Sequence, residues 1–437
     1  MAKKTKAADL SIEEKLEQAL IVPGYEPYKI PDNWCWTNLK TVCNLDNGIK
    51  HNNESLVYFD AKTLREITEP VSRNSGVIVE KGQKVILVDG ENSGEVFVIP
   101  DRGYMGSTFR ILNISKQFDE MYIRYFIDIF REELKKNKIG SAIPHLNKEL
   151  FYGLQFPLPP LPEQQRIVER IESLFSKLDE AKEKAQEVID SFETRKAAIL
   201  HKAFSGELTA KWREENGVGI ESWERKRISE CCKLGSGGTP SRKNPNYYTG
   251  DIPWIKTGEI NWNTVNYSEE SITQEAIDNS SAKVYAPGAV LVAMYGMGIT
   301  RGKAAILGIE AATNQAVCVL QPKGYLFNRY LYFFFMCNYW DIREQAVGGN
   351  QLNLSATIIG KLNIDIPNLE EQYVITELLD SIIEKEYQTK QIAESVIDQI
   401  DAMKKAILAR AFRGELGTND PEEESAVELL KQILSGE

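Results

Sequence analysis

The chain has 437 residues, 42% of them hydrophobic and 26% charged, a globular composition too long for one compact core, so two or more domains are expected. Its longest strongly apolar run, residues 330–340 (YLYFFFMCNYW), is about half of the ~20 residues a bilayer crossing needs, and the opening MAKKTKAADL lacks a signal peptide's apolar stretch; a soluble, cytoplasmic protein is expected. Six cysteines form no C-x-x-C pair and the three histidines (His51, His145, His201) have no zinc spacing, which disfavours disulfide frameworks, zinc modules and H-E-x-x-H hydrolases.

A net charge of −11 looks wrong for a nucleic-acid binder, but the charge is unevenly distributed. Residues 29–158 carry 17 basic and 17 acidic side chains, and residues 209–366 carry 16 and 15. The globular parts are neutral, and the excess acid lies on helices and ends. A neutral domain can still present a basic face, yet composition alone gives no push toward DNA.

In chain order, residues 1–28 form an N-terminal helical segment. Within it Ser11-Ile12-Glu13-Glu14 fits a capping box, with Ile12, Leu16 and Leu20 on one face. Residues 29–158 read as a first globular domain, with strand-like runs at 84–88 and 95–99, Gly-rich turns, and a helix near 121–136. Residues 159–208 read as a long helix whose apolar seam runs Ile167, Ile171, Leu174, Leu178, Ala181, Ala185, Val188, Phe192 and Ile199, the heptad signature. Pro162 suits its first turn and Gly206 its left-handed cap. Residues 209–366 form a second globular domain, with strands near 289–293 and 316–320 and a helix near 327–345. Residues 367–416 form a second long helix, with its seam at Ile375, Leu379, Ile382, Ala393, Val396, Ile400, Met403 and Ile407, interrupted by Glu386 and Thr389 and closed by Gly414. Residues 417–437 are an acidic tail with a short helical patch near 427–433.

The two long segments are copies. Residues 159–208 align without a gap on 367–416, an offset of 208, with 22 identities in 50 positions. The globular parts repeat more faintly, Gly140 falling on Gly348, Leu146 on Leu354 and Leu154 on Leu362. A lone helix of ~40 residues, roughly 60 Å at 1.5 Å per residue, would leave its stripe wet. The two copies are therefore expected to pack together, and antiparallel packing would place the globular domains at opposite ends about a pseudo-twofold axis. The fold class is thus α+β, two mixed globular domains separated by a long antiparallel two-helix coiled coil.

The Pro160–Ile167 opening with its Glu163-Gln164, the matching Asn368–Ile375, the two A-I-L…A-F-x-G-E-L closures, and in the second half GSGGTPSRKNPNYY (235–248), DIPWIKTGEI (251–260), MYGMGITRGKAAI (294–306) and ATNQA (312–316) together resemble the DNA-specificity subunit of type I restriction-modification enzymes. The first half departs from that pattern, with Asp46-Asn47-Gly48-Ile49-Lys50 where GGTP would stand and residues 89–94 (DGENSG) in place of the MYGMG segment. The resemblance implies that each globular domain is a target-recognition domain reading one part of a bipartite double-stranded DNA sequence. The helices would act as a ruler. It also implies a non-catalytic chain that holds two adenine-N6 methyltransferase subunits and, through them, ATP-dependent translocating nuclease subunits. S-adenosylmethionine, ATP and Mg would then sit on those partners, with no cofactor and no metal on this chain. Neutral domains predict modest affinity for the subunit alone, with partners supplying much of the phosphate neutralisation.

Candidate DNA-contacting residues in the second half are Gly237, Gly238, Thr239, Ser241, Arg242 and Lys243, whose amides, hydroxyls and charges suit phosphates or base edges but also suit a solvated turn. Arg301 and Lys303 sit among Gly296, Gly298 and Gly302 without the P-loop spacing, so a DNA-facing turn competes with a plain hairpin. Asn314-Gln315 and Asn350-Gln351 carry amides able to pair adenine N6 and N7, and equally able to cap turns. In the first half Lys50, His51, Arg73, Asn74, Arg102, Ser107, Thr108 and Arg110 are candidates that no spacing argument ranks. Asn244-Pro245-Asn246-Tyr247 invites comparison with the [DN]-P-P-[YF] motif of amino-methyltransferases, but the second proline is missing and no Gly-rich cofactor turn is found. Glu133-Leu134-Lys135, in a helical stretch, reads as a solvated face rather than a nuclease site. A coiled-coil scaffold without DNA binding remains the second hypothesis, and a catalytic methyltransferase a third.

Overall fold

The computed structural model describes residues 11–140, 144–296, 298–347 and 353–435, with the side chain of Asn53 excepted. Its contacts divide the chain into two compact units, one comprising residues up to Ala185 together with Ser395 onward, the other Gln186–Glu394. No described helix is long and apolar enough to cross a membrane.

In the first unit a four-stranded antiparallel sheet runs in the order Cys43–Asp46, Phe109–Ile114, Lys84–Leu87, Val96–Val98. A small closed barrel of Lys50–Phe59, Val71–Val79 and Gly103–Met105 stands beside it in sequence. The incoming strand Cys35–Asn38 zips antiparallel onto the outgoing strand Gln155–Leu158, so the domain is closed at its neck just before the first long helix begins at Leu161. The second unit repeats this plan. Its five-stranded sheet runs Cys232–Ser236, Val317–Pro322, Val290–Ala293, Ala304–Leu307, Thr264–Val265. A four-stranded sheet follows, and Glu224–Arg227 zips onto Asn363–Ile366 ahead of Leu369.

The first long segment is helical over Leu161–Asp190 and Phe192–Phe204, and the second is one helix over Leu369–Ala411. Each unit holds a stretch of both, and in each the two stretches run antiparallel. In the first unit Lys182 pairs Asp401 at 3.1 Å and Asp179 pairs Lys404; in the second Arg195 pairs Glu386 at 2.8 Å and Phe192 meets Tyr387 with ring centroids 4.9 Å apart. The polar interruption at Glu386 is thus filled by the Arg195 guanidinium. Two seam positions depart from expectation, since Ala181 is exposed and Met403 is 49% exposed. The first helix yields at Ser191, whose hydroxyl takes the carbonyl of Glu187 while Arg195 reaches the carbonyl of Val188 at 3.2 Å; such side-chain bonding to the backbone bends helices. Gly206 and Gly414 adopt the expected left-handed caps, with φ of 82° and 72°.

The motifs at the ends of the long helices have a structural purpose. Phe412 packs on Tyr122 and Phe126 in the first unit, with centroids 4.8 and 5.4 Å away, and Phe204 packs on Tyr330 and Phe334 in the second. The two tyrosine hydroxyls donate to the carbonyls of Pro157 and Asp365, at 3.0 and 2.7 Å. Every one of these pairs is related by the offset of 208. At the openings, the fully buried Gln164 donates to the Pro159 carbonyl and accepts from the Asp119 amide, at 3.0 and 2.9 Å. Gln372 makes the same pair of bonds to Pro367 and Phe327, at 2.8 and 2.7 Å, and donates to Tyr325 as well. The buried Glu163 accepts from Thr418 and Arg166, both at 2.7 Å. Glu371 accepts from Thr209, Arg213 and Trp223, at 2.7, 2.6 and 3.0 Å.

The tail belongs to the first unit's core. Its helix, Ala426–Ser435, packs on the N-terminal helix Ile12–Ala19, with Ala426 and Leu430 fully buried, and the N-terminal capping box forms as expected between Ser11 and Glu14. Replacing Gln372 by alanine leaves the buried Pro367 carbonyl, the Tyr325 carbonyl and the half-buried Phe327 amide without their partner, at about 1–3 kcal/mol for a fully buried group and less for the others. The expected outcome is a loss of roughly 2–4 kcal/mol, read as a lower urea midpoint for Gln372→Ala than for the parent chain; a shift below about 0.5 kcal/mol would contradict the clamp.

Candidate nucleic-acid interface

Sheet register gathers most of the second-half candidates at one edge. Ser236 pairs Cys318, Ala293 pairs Val317 and Val292 pairs Ala304, so the segments that follow Ser236 and Ala293 and those that precede Val317 and Ala304 all leave the same end of the sheet. These are the 237–244 loop, the 294–303 hairpin and the 314–316 turn. The glycines are obligatory there, because a Cβ on Gly237 would lie 1.9 Å from the Thr313 carbonyl oxygen and one on Gly238 2.3 Å from the Ala282 amide. Both clash with backbone, which cannot move aside as a side-chain tip can.

The exposed side chains have distinct fates. Thr239 donates its hydroxyl to the amide oxygen of Gln315, bringing two of the motifs into contact. Arg242 pairs with Glu270 at 2.8 Å and stacks 4.0 Å over Tyr248 and 5.1 Å over Trp254, a partly exposed guanidinium held flat by aromatic faces. Ser241 and Lys243 are exposed on the same loop. Asn314 caps its own turn, accepting from the Ala316 amide at 3.1 Å, and Asn244 does likewise for the turn Pro245–Tyr248. Lys303 donates to the Asn261 side chain at 2.6 Å; burial, with Arg343 and Lys196 nearby, holds its ammonium below the usual lysine range. Arg301 is half-buried at the base of the hairpin. Asn350 and Gln351 lie outside the described residues.

The first unit builds an equivalent edge. Asp46 pairs Ile111 and Leu87 pairs Phe109, which brings together the 47–50 loop, the 88–94 turn and Ser107-Thr108. Beside it opens a cleft of about 550 Å³ lined by Lys50, Arg73, Ser107 and Arg110 from the candidate set, and by Asn47, Asn52, Tyr58 and Ser75. Strand alternation sorts the candidates: Lys50 and Asn52 share one face of their strand and His51 takes the other, as Arg73 and Ser75 do relative to Asn74. Asn52 and Ser75, cross-strand partners, were legible from that alternation once the two runs are read as strands. Thr108 spends its carbonyl on the Val88 and Asp89 amides.

Charge separates this cleft from the rest of the unit. Of the six arginines in residues 29–158, Arg65, Arg102, Arg124 and Arg131 pair with carboxylates. Arg102 is held by Glu54 and Glu80, at 2.6 and 3.2 Å, and does not line the cleft. The other two do. Arg73 lies 3.4 Å over the Tyr58 ring, and Arg110 donates to the Ser107 and Phe109 carbonyls. No carboxylate is among the described lining residues. A larger hollow of about 810 Å³ near Leu20–Trp36 is lined in part by Glu17, Glu26 and Asp32, a poor seat for phosphate. Among the described residues no cluster of His, Cys, Asp and Glu could hold a metal ion.

Residues 31–190 and 220–396 match the family described as Type I restriction modification DNA specificity domain. The chain belongs to this family. It is a type I restriction-modification specificity subunit, a DNA target-recognition protein, and neither a scaffold without DNA recognition nor a methyltransferase is favoured. It is 25% identical to the type I restriction enzyme MjaVIII specificity subunit of Methanocaldococcus jannaschii, over 78% of this chain and 81% of that one. It is 20% identical to the EcoKI specificity subunit of Escherichia coli, over 93% and 96%. Two solved structures share the fold at 20% identity and cover 89% of this chain: one reported for complex assembly and conformational transition of the type I R-M system (TM-score 0.67, all of that chain), and the HsdS subunit of Thermoanaerobacter tengcongensis (TM-score 0.61, 99% of that chain).

Arg73→Ala in the assembled complex is expected to weaken binding to the target duplex by about 1–3 kcal/mol, roughly 5- to 150-fold. Arg102→Ala, whose charge is already spent, should change it by less than about threefold. Fluorescence anisotropy titrations at fixed salt make the comparison, and equal losses would remove the cleft from the interface.

Proposed function

We propose that residues 29–158 and 209–366 are two target-recognition domains reading the two parts of one bipartite duplex target, and that the long helices set the gap between those parts. The observation that carries the reading is the convergence, in each unit, of glycine-bearing turns and amide, hydroxyl and guanidinium side chains at one sheet end. Loops on a rigid sheet can change their chemistry without changing the scaffold, which suits a family that must read many sequences. In the first half Lys50, Arg73 and Arg110 supply charge and bidentate donors, with Asn52 and Ser107 as neutral partners. In the second, Arg242, Lys243, Thr239 and Gln315 do so.

The chain itself is non-catalytic in this reading. It holds two adenine-N6 methyltransferase subunits and, through them, ATP-dependent translocating nuclease subunits, and S-adenosylmethionine, ATP and Mg belong to those partners. The buried contacts at the helix ends support this, because they join each domain firmly to the long helix that leaves it, and the acidic side chains of those helices remain for assembly.

With a methyltransferase partner present, retention on duplex DNA should require both parts of the target and depend on their separation. Removing about one turn, roughly four residues, from both long helices should shift the permitted gap while leaving each half-sequence intact. Mapping of N6-methyladenine in cells checks this, and an unchanged gap would contradict the ruler.

A further inference from the structure

The hairpin Met294–Lys303 is larger than its job as a connection requires. Two residues suffice to join adjacent antiparallel strands, yet ten join Val290–Ala293 to Ala304–Leu307. The extra length is braced. Gly302 donates to the Ala293 carbonyl and Ala293 to that of Lys303, at 2.8 and 2.9 Å. Arg343 donates to the carbonyls of Gly298 and Arg301, and Tyr339 to that of Ile299. Three large apolar side chains are nevertheless held in water on and beside this scaffold: Ile299 is 62% exposed, Trp340 66% and Tyr295 40%. Apolar side chains held out on a braced loop and on the helix that braces it mark an interaction surface, unlike apolar residues scattered singly.

Its surroundings are cationic. Arg343 spends its donors on carbonyls and Lys303 on an amide oxygen, so neither charge is cancelled by a carboxylate. The base of the hairpin adjoins the 314–316 turn, since Met294 donates to the Ala316 carbonyl at 2.9 Å. The patch is thus continuous with the interface described above. The corresponding turn of the first unit is acidic, with one apolar side chain, the 55% exposed Ile139, beside it among the described residues. Its 89–94 turn carries Asp89, bound to His145, and Glu91, bound to Lys138.

Resting on the DNA-reading function of residues 209–366, we propose that Ile299 enters between two base pairs of the half-target read by that domain and kinks the duplex there, while Lys303 and Arg343 neutralise the flanking phosphates. Apolar side chains flanked by cations act in this way from the minor groove, and flexible pyrimidine–purine steps yield most readily.

The test is a scan of 2-aminopurine through that half of the target, leaving out the methylated adenine and its neighbours because the partner flips that base from the stack, with this chain assembled with its methyltransferase partner and with binding followed in the same titration. Unstacking at one position should raise fluorescence several-fold with the parent chain and with Ile299→Leu. With Ile299→Ala the signal should fall to that of free duplex, while affinity drops no more than about tenfold. Binding with no rise at any position, or a rise that survives Ile299→Ala, overturns the wedge alone. If Ile299→Ala releases the methyltransferase partner and leaves the fluorescence rise intact, the patch is a protein interface and the proposal is wrong. No sequence-dependent binding by the parent chain would overturn the DNA-reading function and the wedge together.

Discussion

A carboxylate and an amide buried side by side at the start of each long helix hold the junction of helix and domain together in each unit. Glu163-Gln164 and Glu371-Gln372 are wholly inaccessible to water, and burying a charge is costly unless partners replace its hydration. Those partners come from separate stretches of chain. Glu371 needs Thr209, Arg213 and Trp223, and Glu163 needs Thr418 as well as Arg166 from its own helix. Each glutamine ties the proline carbonyl at the neck of a domain to the amide that opens the domain's aromatic helix. The helix, the domain neck and the segment that closes the other helix are therefore committed to one arrangement together. Breaking one bond leaves a buried group unpaired, so the junction resists gradual bending.

On that shared frame the two reading edges have diverged. The first unit gathers Arg73, Arg110 and Lys50 around a cleft with no carboxylate among its described lining residues. The second keeps Arg242 over the rings of Tyr248 and Trp254 and anchored by Glu270, and adds a braced apolar hairpin. The internal repeat is strong in the helices and faint in the domains for the same reason. Helix ends must satisfy buried groups with particular side chains, whereas loops at a sheet end answer only to what they touch.

Much of this was legible in the sequence. The offset of 208 located both long helices with the left-handed Gly206 and Gly414 at their ends, the Ser11-x-x-Glu14 pattern gave the capping box, and the motifs at the helix ends and in the second domain gave the resemblance to a specificity subunit. It also marked Phe204 and Phe412, although their docking on Tyr330 and Tyr122 required coordinates. What escaped depends on long-range partners. Arg102 looked as good a DNA contact as Arg73, and only the proximity of Glu54 and Glu80 separates them. Asn314 proved to cap its turn, a role its type favours and its neighbours decide. Ala181 and Met403 fit the heptad yet face water, because an α-helix of 3.6 residues per turn drifts from an ideal seven-residue repeat.

The central claim is that one polypeptide carries two independent readers. Exchanging residues 29–158 for the corresponding domain of another specificity subunit, and sequencing N6-methyladenine genome-wide in cells carrying the hybrid, tests it most directly. The account requires one half of the methylated sequence to change while the other half and the gap stay as they were. Alteration of both halves would contradict it.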